Sequence, residues 1–191
     1  MLASGEANLL SDDFKMLAEV ATKARKATAA AASSKSEGNG GGARVDIIVD
    51  NAGFELVTDL LMADFLCTSG IASKVVFHLK SHPTFVSDAR ASDLRAHVKT
   101  LAALDPKGPH AGCAALGARW ASRLESGAWE LEENSFWVQP SPTWELPGEL
   151  RESLATSSLA FTKGDANYRR LLGDCQWPLD APFQDVVSLL I

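Results

Sequence analysis

The sequence predicts an α/β protein with a mostly parallel sheet, and three observations predict it. Val45-Asp46-Ile47-Ile48-Val49 is a short apolar run rich in β-branched residues, the pattern of a buried parallel strand. The run breaks at Asp50-Asn51-Ala52-Gly53, and beyond the break Phe54, Val57, Leu60, Leu61 and Phe65 recur at helical spacing. Lys74-Val75-Val76-Phe77-His78-Leu79-Lys80 is then a second strand. Strand, helix and strand in this order form a βαβ unit, which implies a parallel pair and a right-handed crossover.

The remaining elements follow in order. Ser11-Asp12-Asp13 has the character of a helix N-cap, and a helix is expected over about 12–27 with Phe14, Leu17, Ala18 and Ala21 as its apolar stripe. Residues 28–43 are low-complexity and turn Gly/Ser-rich, which predicts a flexible surface insertion. The helix after Gly53 ends near Cys67-Thr68-Ser69-Gly70. A helix over 91–104 carries Leu94, Val98 and Leu101 on one face and stops before Asp105-Pro106-Lys107-Gly108-Pro109. A further helix over 111–127 carries Leu116, Trp120 and Leu124. Phe136-Trp137-Val138 is expected to be a short strand, 139–147 an irregular loop and 148–156 a helix. Leu159-Ala160-Phe161-Thr162 is a third strand, and it runs into a loop that opens a short helix.

With 191 residues, 46% of them apolar and 22% charged, the chain suits one soluble domain of ordinary size. A net charge of −6 with no basic cluster argues against a nucleic-acid partner. No apolar stretch is long enough to span a membrane. Cys67, Cys113 and Cys175 are scattered, form no metal-ligand spacing and fit a reducing compartment; they are expected to be small buried hydrophobes. With no secretory signal pattern, the expected location is the cytoplasm or the nucleus. The oligomeric state is not legible.

Three strand exits carry polar clusters: Asp50-Asn51 with Glu55, then Asp88, then Lys163-Gly164-Asp165-Ala166-Asn167-Tyr168-Arg169. Exits of neighbouring parallel strands converge on the carboxyl edge of a sheet, where ligands bind. Asp50, Asn51 and Asp88 offer oxygen donors without His or Cys, a set suited to Mg²⁺, Mn²⁺ or a similar divalent ion. Lys163 and Arg169 add positive charge suited to a phosphate. Metal, cationic clamp and helix N-terminus together meet the needs of phosphoryl hydrolysis. Each residue also has a plainer role open to it. Asp50-Asn51 could form only a turn and cap, Asp88 could cap the helix at 91–104, Glu55 could answer the helix dipole, and Lys163 and Arg169 could be solvated charges. His78 and His82 are read as structural.

Residues 49–60, the strand 75–80 with Phe85-Val86-Ser87-Asp88, and the stretch 163–169 closely resemble the metal-dependent damage-control phosphatase family, also described as protein-glutamate O-methyltransferases. The resemblance runs from about residue 8 onward. It implies a three-layer α/β/α sandwich around a Rossmann-like sheet, a Mn²⁺, Co²⁺ or Ni²⁺ site with Mg²⁺ as an alternative, and hydrolysis of small phosphorylated metabolites such as fructose 1-phosphate or fructose 6-phosphate. By position, Asp50, Asn51 and Asp88 resemble the family's metal ligands and carry the catalysis. Asp165, Asn167, Tyr168 and Arg169 match the stretch that holds the sugar phosphate, and Lys163 and Glu55 join them as substrate-binding residues. Glu55 and Asp88 also match positions assigned to S-adenosylmethionine in the methyltransferase description. The family further has a helical domain before this region and an Arg-Thr-x-Lys element after it; neither is expected within these residues, so the chain reads as a core. Ala166 stands where Leu is usual, and the 28–43 insertion is longer than typical. The alternatives to a phosphatase are an S-adenosylmethionine-dependent methyltransferase, for which Asp50-Asn51-Ala52-Gly53 offers a single Gly, and an inactive binding module.

Overall fold

In a computed structural model of the chain, residues 13–33 and 41–187 are described. Helix α1 spans Phe14–Ser33, followed by β1 (Arg44–Ile48), α2 (Phe54–Thr68), β2 (Lys74–Lys80), α3 (Ala91–Ala102) and α4 (Ala111–Glu125). Then come β3 (Trp129–Asn134), two short 3₁₀ turns, α5 (Gly148–Ala155), β4 (Leu159–Thr162), α6 (Asp165–Leu172) and α7 (Phe183–Val187).

The four strands form one sheet in the order β3-β2-β1-β4 with every pairing parallel. One face carries Val45, Ile47, Val75, Phe77, Leu79 and Trp129, which share a buried core with Leu56, Leu60 and Ala63 of α2, Leu94 and Val98 of α3 and Trp120 of α4. Ile48 on the other face packs with Phe136, Trp137, Leu146 and Leu150, which lie between β3 and β4. Helices therefore cover both faces, and the predicted three-layer α/β/α arrangement is the one observed. Strand order runs outward from β1 to β3 and then returns to the far side of β1. The order reverses at β1, and such a switch point is where an open α/β sheet leaves a crevice.

Several elements depart from expectation. Helix α1 continues to Ser33, through the first part of the segment predicted as a flexible insertion; residues 34–40 lie outside the described residues, as does the expected cap at Ser11-Asp12. Its buried position is Ala24, whereas Phe14 is exposed. Helix α2 turns a different face inward: Leu56, Asp59, Leu60, Ala63, Asp64 and Leu66 are buried, while Phe54, Leu61 and Phe65 stand in solvent. The helix is apolar on both sides, so spacing alone could not select the side that meets the sheet.

The strand expected at Phe136–Val138 is a 3₁₀ turn, because the Asn134 side chain accepts from Phe136 N at 2.8 Å and curls the chain. The real strand, β3, lies just before it. Its Trp-Glu-Leu-Glu-Glu-Asn sequence buries Trp129 and leaves the acids partly exposed, as an edge strand can. The cysteines also differ from expectation. Cys67 is half-buried, but Cys113 and Cys175 are exposed. Among the described residues no helix is long and apolar enough to cross a membrane.

Candidate active site

The site begins where β1 ends. Val49 N donates to His78 O at 3.0 Å, so the chain stays beside β2 for one residue beyond the strand. The loop leaving β2 then folds back onto it. Ala89 N donates to Asp50 O (3.1 Å), Ala52 N to Ser87 O (2.7 Å), and Asn51 and Asp88 form an antiparallel bridge. This return places Asp88, eight residues beyond Lys80, against Asp50. The three sequence-predicted oxygen donors are therefore brought together.

Asp50 and Asp88 are both buried. Asp88 Oδ2 accepts from Thr84 N and Phe85 N, each at 2.8 Å. Burial alone would push its pKa up, but the Lys80 ammonium and these amides outweigh burial and hold the carboxyl below its usual range. Asp88 is thus occupied by its own loop and does not cap α3, whose first turn is closed by Asp93 accepting from Arg90 N. No side chain caps α2 either. Asn51 Nδ2 donates to Asp50 Oδ2 (3.2 Å) and Glu55 Oε2 (3.0 Å), while its Oδ1 accepts from Ser87 Oγ (2.8 Å).

The third exit closes the site from the β4 side. Gly164, at φ 89°, passes so near Asp50 that an added Cβ would lie 2.0 Å from Asp50 Oδ2. Lys163 does not face open space: its ammonium pairs with Glu55 Oε1 and stands 3.0 Å from Asp59 Oδ2. Glu55 is held below its ordinary pKa, since Lys163 and Asn51 outweigh its burial. Burial pushes the deeper Asp59 up, beyond what Lys163 offsets. Asp165 lies exposed in the first turn of α6. Asn167 is buried and donates to Lys163 O at 2.9 Å. Tyr168 is half-exposed and stacks on Phe183 at 6.4 Å between centroids. Arg169 forms an exposed two-point pair with Asp174.

A cavity of about 270 Å³ opens beside Asp88; Lys80, Thr84, Trp137, Gln139, Arg169 and Arg170 are among its lining. Two of these cations were missed in the sequence reading. Lys80 is buried between Asp50 and Asp88. Arg170 is pinned by Asn167 Oδ1 (2.9 Å), Trp137 O (2.8 Å) and Gln139 O (3.1 Å). Burial lowers its pKa, and the negative charge of Asp50 and Asp88 works in the opposite sense. Lys80 shows in the sequence only as the last residue of a strand, whereas Arg170 lies one helical turn from Asn167 (i, i+3), a spacing that places the two on one helix face.

Carboxylate and amide oxygens are the donor type that hard divalent cations take. Among the described residues no group of three or more His, Cys, Asp or Glu side chains is placed to hold a metal. Any set here therefore consists of two carboxylates and the Asn51 amide. The carboxylates have lone pairs to spare beyond the bonds they accept. Asn51 turns its Nδ2 toward Asp50, so it joins the set only after the amide rotates to present Oδ1. With that rotation the donor types are those a hard cation takes, with the Lys80 ammonium already 2.6 Å from Oδ1 of both acids.

Fold and site together define a class: a Rossmann-like α/β protein with buried carboxylates and a cation-lined cavity at its switch point. The chain belongs to the damage-control phosphatase ARMT1-like family, whose domain model matches residues 2–191. The damage-control phosphatase ARMT1 of Danio rerio is 44% identical over 138 residues, which are 71% of this chain and 30% of that protein. Those of Rattus norvegicus and Homo sapiens are 39% and 36% identical over 76% of the chain and 33% of their own length. The chain thus spans about a third of the length of these relatives. The family resemblance drawn from residues 49–60, 75–80 with 85–88, and 163–169 is borne out.

Proposed function

We propose that the chain carries the metal-dependent phosphatase site of a metabolite damage-control enzyme, acting on small phosphorylated metabolites such as fructose 1-phosphate or fructose 6-phosphate. The observation that carries this reading is the meeting of Asp50, Asn51 and Asp88 beside a cavity lined by Arg169 and Arg170. Asp50, Asn51 and Asp88 would hold a divalent ion such as Mn²⁺, Co²⁺ or Ni²⁺. When bound, the ion supplies Lewis-acid polarisation of a phosphoryl oxygen and a bound water of lowered pKa.

The chain's own residues do the rest. Arg170, fixed by backbone carbonyls, keeps a positive charge at the cavity wall, where it attracts the ester's phosphate. Arg169 lies at the same wall, and its Asp174 pair is exposed enough to exchange for a phosphate oxygen. The amides of Thr84 and Phe85 keep the Asp88 carboxylate oriented. Lys163 is neutralised by Glu55 and Asp59, so it holds the β4 exit against α2.

The reading is tested by phosphate release from fructose 1-phosphate and fructose 6-phosphate with Mn²⁺ and with EDTA, beside transfer of labelled methyl from S-adenosylmethionine. Release that needs the metal and disappears in Asp50→Ala supports it. Methyl transfer without phosphate release would replace it with the methyltransferase function. Neither activity, with Mn²⁺ still bound, would leave a binding module.

A further inference from the structure

Lys80 is the most deeply buried cation of the site, at 2% exposure, and the phosphatase reading gives it no role. A lysine is almost never buried this far unless it is paired. Its ammonium has three protons, and all three are used: Asp50 Oδ1 at 2.6 Å, Asp88 Oδ1 at 2.6 Å and Asp50 O at 2.9 Å. Two buried carboxylates from different strand exits thus close on one cation. The pairing is selective by atom. It takes Oδ1 of each acid, leaves Asp88 Oδ2 to the Thr84 and Phe85 amides, and turns Asp50 Oδ2 toward Asn51 and Gly164.

We propose that Lys80 is a positioning residue acting as a built-in counter-cation, which holds Asp50 and Asp88 face to face and competes electrostatically with a divalent ion for the pair. The inference rests on the metal reading of the site. It has a consequence opposite in sign to that of an ordinary structural lysine. Removing a merely structural lysine loosens the carboxylates and weakens metal binding. Removing a competing unit charge a few ångströms from the ion strengthens metal binding, because charges interact far more strongly in a buried site than in water.

The test uses the full chain with Lys80→Met, which keeps length without charge, and Lys80→Gln, which keeps a hydrogen-bond donor without charge. Calorimetric titration with MnCl₂ should give a Kd about tenfold tighter in both variants than in the parent protein. In EDTA the variants should unfold several degrees lower, and Mn²⁺ should raise their Tm by more than it raises that of the parent. A Kd that is unchanged or weaker, in a variant whose far-UV circular dichroism matches the parent, would overturn the proposal.

If the parent binds no Mn²⁺, the metal reading fails, and the pairing itself is judged in EDTA. Lys80→Met should then cost much less Tm in an Asp88→Asn background than in the parent, whereas equal losses would show no coupling and overturn it. If neither single variant folds, recovery of a folded protein on adding Asp88→Asn supports the pairing, and no recovery overturns it.

Discussion

A Cβ on Gly164 would meet Asp50 Oδ2 at 2.0 Å, and the backbone there sits at φ 89°, so two constraints fall on one residue. Gly164→Ala should cost about 1–3 kcal/mol from backbone strain alone. It should also displace the Asp50 carboxylate, so Mn²⁺ binding and phosphate release should fall further than the Tm change accounts for. Thermal unfolding compared with metal titration checks this. Charged residues were legible as a cluster in the sequence, but their partners were not. Lys163 reads there as a cation for phosphate, and in the fold it meets Glu55 and Asp59, one helical turn apart on α2. That contact depends on how far β4 lies from α2, which no local pattern encodes. Lys80 was legible only as the end of a strand, because its meaning comes from a loop that returns eight residues later.

Between elements, two contacts make separate predictions. Helices α3 and α4 cross at Gly117, where a Cβ would lie 2.2 Å from Ala102 N. Gly117→Ala should destabilise the fold by about 1–3 kcal/mol, measured by denaturant unfolding, because backbone cannot give way as a side chain can. Helices α2 and α4 are tied by Asp64, which accepts from Arg119 Nε (2.9 Å), Arg119 Nη2 (2.5 Å) and Arg123 Nε (3.1 Å). Burial would raise the Asp64 pKa, but the two guanidinium groups outweigh it and the pKa is lowered. A lowered folded pKa contributes stability above the unfolded value, and that contribution is lost as pH falls through the folded one. Asp64→Asn should therefore cost about 1–2 kcal/mol near pH 7, the scale of hydrogen bonds to a charged group. The penalty should shrink below about pH 4, where the unfolded aspartate takes up its proton. Unfolding of both proteins across pH 3–7 measures this.

Legibility varied by element for physical reasons. Strands β1, β2 and β4 are short runs dominated by apolar residues, and their patterns sufficed. Strand β3 is an acid-rich edge that buries little and was missed. Helix α2 was found, but its inward face was not, since apolar residues lie on both sides.

At the scale of the whole molecule, the sheet order β3-β2-β1-β4 makes neighbours of the three exits that carry Asp50, Asp88 and Lys163. The βαβ unit predicted that β1 and β2 would pair. The place of β4 on the other side of β1 was not legible from pattern, because it depends on the chain crossing to the opposite face between β3 and β4. That return step turns three separate loops into one site, and the proposed function requires this site to bind a single divalent ion between two strand exits. The most direct measurement is a calorimetric Mn²⁺ titration of the parent chain beside Asp50→Ala and Asp88→Ala, with folding of each checked by circular dichroism. The expected result is one saturable site in the parent and loss of that same site in both folded variants. Parent-like Mn²⁺ binding in either variant, or no binding in the parent, would contradict it.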